Sequence, residues 1–128
     1  MQPKARLGTV KLVGAGPGAA DLLTLRAARA IGSAQALLYD ALISEEVLAP
    51  APVACVKIPT GQRAGRTAMK QDTINRLMLR LARRGVDVVR LKGGDPSIFG
   101  RVGEEQAFLN EHGVSTEVVP GVTAASAA

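Results

Sequence analysis

The sequence has few aromatic residues and no tryptophan. One tyrosine and two phenylalanines occur among 128 residues, although 47% of the residues are hydrophobic. The core must therefore be built from valine, leucine, isoleucine and alanine, which favours helices packed on a parallel sheet over an aromatic-rich barrel. The shortage of aromatic rings also argues against nucleic-acid binding, because many such proteins stack bases on aromatic side chains.

Long apolar segments and cysteine pairs are missing as well. No run approaches the roughly 20 apolar residues that a membrane-spanning helix needs, and residues 1–7 do not lead into the apolar core of a secretion signal. The single cysteine, Cys55, has no partner for an internal disulfide, and its apolar surroundings predict a buried thiol. These absences predict a cytoplasmic protein with no membrane partner.

The charged residues are dispersed and give a formal net charge of +5, from 16 Lys and Arg against 11 Asp and Glu. Most of the basic side chains are interpreted as solvated surface, although a basic balance also suits an acidic small substrate. No His, Cys, Asp and Glu cluster has the spacing of a metal site, so no metal is expected. The lone histidine, His112, precedes a glycine at a predicted helix end, where it complements the helix dipole.

Short apolar runs alternate with helical patterns along the chain. The clearest helix is predicted for residues 70–84, where apolar residues recur at i, i+3, i+4 and i+7 before Gly85. Strands are predicted at residues 10–13, 36–39, 55–58, 86–91 and 114–119, with further helical segments at 22–31, 44–48, 101–112 and from 121. The alternation predicts an α/β fold with a mostly parallel five-stranded sheet flanked by helices.

Four of the predicted strands end in distinctive residues. The first runs into VGAGPG (13–18), the second into Asp40, the fourth into GGDP (93–96) and the fifth into Pro-Gly (120–121). Because ligands bind outside the carboxyl ends of parallel strands, these residues predict a functional cleft at one edge of the sheet. VGAGPG is not the dinucleotide fingerprint, since its third glycine comes too early.

Several of these residues admit more than one interpretation from the sequence. Asp40 suits a general base, a hydroxyl ligand or a turn residue. The basic segment GQRAGR (61–66) is either a solvated loop or a carboxylate clamp formed by Arg63 and Arg66. Asp21 is predicted to cap the first helix, and Glu104 and Glu105 to favour the start of a later one.

Taken together, the strings resemble the tetrapyrrole methylase family over nearly the whole chain. The matching segments occur in family order, and they are VGAGPG with LLTL, LLYDALIS, GQRAGR with KQDTIN, VVRLKGGDPSIFGRVGEE and VVPGVTAASA. The resemblance implies a two-domain α/β enzyme that transfers methyl groups from S-adenosylmethionine to carbons of a reduced tetrapyrrole. Uroporphyrinogen III, on the way to sirohaem and cobalamin, is the substrate that the strings imply, and no metal is needed.

The resemblance also assigns roles to individual residues. It implies that Asp40 removes a proton from the methylated ring and that Arg63 and Arg66 contact substrate carboxylates. The S-adenosylmethionine site is implied to be lined by Pro17, Gly93, Gly94, Asp95, Ile98, Thr123 and Ala124. At the position of a lysine that is a proposed proton donor in the family, this sequence has Gln62, so that role is not carried over; Lys57 and Arg63 are candidate substitutes.

The length sets a further expectation. Residues 1–128 are expected to form the first, N-terminal domain, without the second domain of the family, and to fold alone, bind the donor weakly and show little activity. A homodimer is expected for the full-length enzyme. The alternatives are another corrin-ring methylase, a ribosomal RNA methylase and a non-catalytic donor-binding or assembly fragment.

Overall fold

The fold is built on one five-stranded parallel sheet. A computed structural model describes residues 6–16, 23–61, 65–93 and 102–121. In chain order the elements are β1 (Val10–Gly16), α1 (Leu25–Gly32), β2 (Ala36–Tyr39), α2 (Glu45–Leu48), β3 (Val56–Pro59), α3 (Gln71–Arg83), β4 (Val88–Gly93), α4 (Val102–Glu111) and β5 (Thr116–Val119). The predicted α/β fold with a parallel five-stranded sheet is confirmed; the helix predicted from residue 121 falls almost entirely outside the described residues.

The strand order is β3-β2-β4-β1-β5, and every pairing is parallel. The chain moves outward from β1 to β2 and β3, returns to place β4 between β2 and β1, and then crosses to β5. Connections that leave β1 and β4 therefore run in opposite directions. In open parallel sheets such a switch point opens a crevice at the carboxyl ends of the two strands.

The two faces of the sheet carry separate hydrophobic clusters. Residues of α1 and α2, such as Ile31 and Leu48, pack with Leu37 and Leu91 on one face. On the other face α3 and α4 contribute Met78 and Leu109, which pack with Leu38. Successive residues of a strand point to opposite faces, so the central strands β2 and β4 are apolar on both sides at these positions. The core is aliphatic, as the composition predicts.

Helix α1 begins later than the sequence pattern indicates. Thr24 is its N-cap, with extended backbone angles, and its side-chain hydroxyl accepts a hydrogen bond from the amide of Ala27 at 3.1 Å. The expected cap, Asp21, lies outside the described residues, and the cap of the helix as observed is not Asp21. A threonine hydroxyl at this position satisfies one of the amides that the first helical turn leaves without a partner.

Strand β4 extends two residues beyond its predicted end. Lys92 pairs with Gly14 and Gly93 with Gly16 of β1, across a register shift between Gly14 and Gly16. The pattern of apolar residues ends at Leu91, so it stops before the strand does. Lys92 lies in this extension; its side chain is buried, and its Nζ is 2.8 Å from Oε1 of Glu105.

Cys55 immediately precedes β3 and is buried, as predicted. Burial raises the pKa of the Cys55 thiol, and the nearby ammonium of Lys57 opposes that rise only in part. A thiol with a raised pKa is mostly protonated near neutral pH and therefore reacts slowly. Within the described residues no helix is long and apolar enough to cross a membrane.

Replacing Leu38 by alanine is expected to lower the free energy of unfolding by about 2–5 kcal/mol, because the side chain is fully buried between the sheet and α3. Leu25→Ala is the matched control; its side chain is 67% exposed, and the expected change is below about 0.5 kcal/mol. Urea titrations followed by circular dichroism measure both. Equal losses in the two variants would contradict the assignment of the core.

Candidate functional site

The carboxyl ends of the strands meet at one edge, as the sequence predicts. Gly16 at the end of β1 is the register partner of Gly93 at the end of β4. Gly121, two residues after β5, approaches the same point, because a Cβ on it would lie 2.7 Å from the amide nitrogen of Gly16. No side chain fits there, so backbone from three strands comes together at the switch point.

Asp40 joins the end of β2 to the end of β4. Its Oδ1 accepts a hydrogen bond from the amide of Leu42 at 3.0 Å, and its Oδ2 accepts one from the amide of Gly93 at 3.1 Å. The first contact is the local Asx turn that the turn interpretation expects. The second spans two strands and holds the half-buried carboxylate at the edge. Both interpretations of Asp40, turn residue and site residue, are therefore compatible with one geometry.

Gly93 packs directly against the segment that follows Asp40. A Cβ at this position would come within 3.0 Å of the Ile43 side chain and 3.1 Å of the Leu42 Cβ. Those distances are shorter than ordinary van der Waals contacts between carbon atoms. A larger residue at position 93 would therefore need the Leu42–Ile43 segment to shift slightly, whereas glycine lets the amide reach Asp40 with the loop in place.

A pocket of about 190 Å³ opens beside Asp40 at the ends of β2 and β3. Ile43, Leu48 and Pro59 contribute apolar surface, and Asp40 and Glu45 contribute acidic groups. Pockets that enclose a whole drug-sized ligand measure roughly 300–1,000 Å³. This pocket therefore has room for part of a larger molecule.

A cluster of buried charges lies on the α3 and α4 face of β4, and the sequence patterns did not identify it. Glu105 of α4 is completely buried and lies between Arg90 and Lys92, which are 5% and 6% exposed. Its Oε2 is 3.3 Å from Nε of Arg90, and its Oε1 is 2.8 Å from Nζ of Lys92. Within the described residues Oε1 has no hydrogen-bond partner, so the Lys92 contact is an ion pair without hydrogen-bond geometry.

Two neutral side chains extend this cluster to other elements. The amide of Gln71, the first residue of α3, donates to Oε2 of Glu105 at 2.9 Å. Nη1 of Arg90 donates to the hydroxyl of Thr60 at 3.2 Å, and Thr60 follows β3. Thr60 is itself tied to the end of β2 through its amide, which donates to the carbonyl of Tyr39 at 2.8 Å. We call Arg90, Lys92, Glu105, Gln71 and Thr60 the Glu105 cluster.

One sequence signal for the Glu105 cluster existed. Arg90 and Lys92 are two apart on a strand whose neighbouring residues are apolar, so both must point to the same buried face. A buried cation needs a counter-charge. Glu104 and Glu105 both lie in the first turn of α4, as expected. Glu104 is exposed, whereas Glu105 is buried and supplies the counter-charge, which the helix-start interpretation did not include.

Comparison with known proteins assigns the chain to a family. The family model described as tetrapyrrole (corrin/porphyrin) methylases matches residues 9–128. The chain belongs to this family. The resemblance carried by the five sequence strings is thereby confirmed at the level of the family.

Individual relatives agree with the match. The chain is 48% identical over 122 residues to the uroporphyrinogen-III C-methyltransferase of Bacillus subtilis, covering 95% of this chain and 48% of that protein. It is 51% identical over 123 residues to the siroheme synthase of Chromobacterium violaceum, covering 96% and 26%. The chain therefore spans between a quarter and a half of the length of these relatives.

A solved structure gives the same result in three dimensions. The uroporphyrin-III C-methyl transferase of Thermus thermophilus, crystallised in complex with S-adenyl homocysteine, superposes with a TM-score of 0.75 at 55% identity. The match covers 91% of this chain and 49% of that one. A uroporphyrin-III C-methyl transferase complexed with S-adenyl homocysteine thus shares this fold.

Of the site residues expected from the sequence, Asp40 and Gly93 lie at the edge and touch one another. Arg66 is exposed beside the positive-φ residue Gly65. The remaining ones lie outside the described residues: Pro17, Arg63, Gly94, Asp95, Ile98, Thr123 and Ala124. In the described part of the chain no three His, Cys, Asp or Glu side chains come together in a group able to hold a metal ion.

Replacing Asp40 by asparagine is expected to lower the free energy of unfolding by about 1–3 kcal/mol, because one carboxylate oxygen becomes an amide donor that faces a backbone N–H. Asp72→Asn is the control, since Asp72 is exposed and pairs with the exposed Arg76 of α3, and such pairs contribute little. Guanidinium chloride titrations compare the variants. If Asp40→Asn is as stable as Asp72→Asn, the bridge between β2 and β4 is not a stabilising contact.

Proposed function

We propose that this chain is the donor-binding part of an S-adenosylmethionine-dependent methyltransferase that methylates ring carbons of uroporphyrinogen III to give precorrin-2. The observation that carries the proposal is the convergence of Gly16, Gly93, Gly121 and Asp40 at one edge of a tetrapyrrole methylase fold. The names of the B. subtilis and T. thermophilus relatives favour uroporphyrinogen III over later corrin-ring substrates.

The backbone groups at the carboxyl edge of the sheet match the polar groups of the methyl donor. S-adenosylmethionine presents an ammonium group, a carboxylate and ribose hydroxyls, and glycine positions let backbone N–H and C=O groups approach such a molecule closely. We assign its contacts to Pro17, Gly93, Gly94, Asp95, Ile98, Thr123 and Ala124. The donor supplies a methyl group already activated by the positive sulfur, so the reaction needs no metal. The contribution of the protein is orientation, which lowers the barrier when the reacting atoms are held close together.

Asp40 is assigned the role of the base. After a ring carbon gains the methyl group, a proton must leave the ring, and a carboxylate at the cleft is a suitable acceptor. Each oxygen of Asp40 accepts one backbone amide and retains further lone-pair capacity for a proton. The two amides fix the carboxylate in place, so it meets the substrate in one orientation. No proton donor is assigned in place of Gln62.

We further propose that residues 1–128 correspond to the first domain of these enzymes. The relatives contain as much again, or more, beyond the part matched by this chain. We assign to that unmatched part the other wall of the substrate cleft and the contacts of a homodimer, so the 128-residue chain alone is expected to bind the donor weakly and to transfer little methyl. The enzyme acts in the cytoplasm on a small tetrapyrrole, with no nucleic-acid or membrane partner.

Calorimetric titration of the purified chain with S-adenosylhomocysteine tests the donor site. We expect saturable binding that Asp95→Ala abolishes and that Asp72→Asn, on the exposed face of α3, leaves unchanged. 5′-Methylthioadenosine, which lacks the amino-acid carboxylate and ammonium groups, is expected to bind more weakly. A folded chain that does not bind, or that binds equally well with Asp95→Ala, would contradict the assignment of this site.

Arg66→Ala is expected to weaken binding of uroporphyrin III, a stable polycarboxylate analogue of the substrate, by up to about fivefold, because an exposed guanidinium–carboxylate pair contributes about 1 kcal/mol or less. Arg76→Ala is the control, because Arg76 is exposed on α3. Absorption titrations at fixed ionic strength give both affinities. Equal weakening in the two variants would show a general effect of charge and remove Arg66 from the substrate site.

A further inference from the structure

The Glu105 cluster occupies a position that the proposed reaction does not explain. It lies inside the protein, on the face of β4 covered by α3 and α4, while the glycine-rich edge lies at the end of the same strand. One carboxylate faces two cations, so Arg90 and Lys92 share a single counter-charge. Ion pairs of this kind lose much of their attraction to desolvation, and an apolar replacement of the same shape is often as stable. Stability alone therefore gives no reason for charges here.

The contacts of the cluster lead directly to the site. Lys92 immediately precedes Gly93, whose amide donates to Oδ2 of Asp40. Glu105 is anchored from the other side by Gln71 of α3 and by Arg90, and Arg90 reaches Thr60 at the end of β3. Lys92 is thus the residue through which a buried, four-element network holds the last residues of β4.

We propose that Glu105 is a positioning residue of the donor site, acting through Lys92 to fix the amide of Gly93 against the carboxylate of Asp40. The significance of that edge rests on the proposed function, but the mechanical link does not. The ion pair between Glu105 and Lys92 holds β4 in pairing with β1 as far as Gly93. Without it, the strand end separates from β1 and Asp40 loses its contact with the other strand.

Hydrogen exchange of individual amides in the 128-residue chain, measured by NMR, tests the link. The informative variant is Lys92→Met, because it removes the tie to Glu105 yet leaves Arg90 and Glu105 as a neutral buried pair. We expect exchange at Gly93 to accelerate roughly tenfold relative to Leu38, an amide of β2 with paired strands on both sides. Glu105→Gln is also expected to raise the ratio of the Gly93 exchange rate to the Leu38 exchange rate, and in addition to lower the stability of the whole chain.

A purely structural role gives a different result, because loss of global stability accelerates exchange at Gly93 and Leu38 by the same factor. Asp72→Asn is the control and should leave both rates, and their ratio, unchanged. An unchanged ratio in Lys92→Met would overturn the proposal, whether or not Glu105→Gln folds.

The exchange measurement needs no ligand, so it separates this inference from the proposed function. If the wild-type chain binds S-adenosylhomocysteine but Lys92→Met leaves the ratio of the Gly93 and Leu38 exchange rates unchanged, Glu105 is not a positioning residue and the proposed function stands. If the ratio rises as expected but the wild-type chain does not bind S-adenosylhomocysteine, the link is real and the assignment of the donor site is wrong.

Discussion

The buried carboxylate of Glu105 is the constraint on which the arrangement at the end of the sheet depends. The central strand β4 carries two cations on a face that is otherwise apolar, and only this carboxylate meets both of them in the described part of the chain. Leaving such charges without their partner typically costs about 3–5 kcal/mol. Helix α4 must therefore pack against β4 at this level.

The site follows from that constraint and from the strand order. Because β4 is inserted between β2 and β1, its end lies beside the ends of both, and the Gly93 amide reaches Asp40 on one side while Gly16 pairs with it on the other. The switch point of the sheet would open a crevice with any sequence. The residues of this chain add the chemistry at the crevice, where the carboxylate of Asp40 is held against the backbone of the neighbouring strand end.

The sequence was sufficient to predict what depends on local pattern. Parallel strands ending in glycine or aspartate predicted that Gly93 and Asp40 would lie at the same edge of the sheet, and the family strings predicted the family. The sequence could not predict contacts that depend on which faces of the helices and strands pack together. Glu105 lies at the start of a helix, where any acidic residue is favourable, and only the packing of α4 on β4 shows that its carboxylate points inward to Lys92. The N-cap of α1 is Thr24 and not Asp21. Aspartate and threonine are both good N-cap residues, so the sequence pattern could not choose between them.

We propose that the methyl donor binds at the carboxyl edge of the sheet. The most direct measurement is the change in amide chemical shifts when S-adenosylhomocysteine is added to the labelled chain. Binding at this edge predicts that the largest changes, among the described residues, cluster at Gly16, Asp40, Gly93 and Gly121. Changes concentrated instead in the groove lined by Lys11, Arg26 and Arg29, on the face of β1 and β5 that α1 covers, would contradict it.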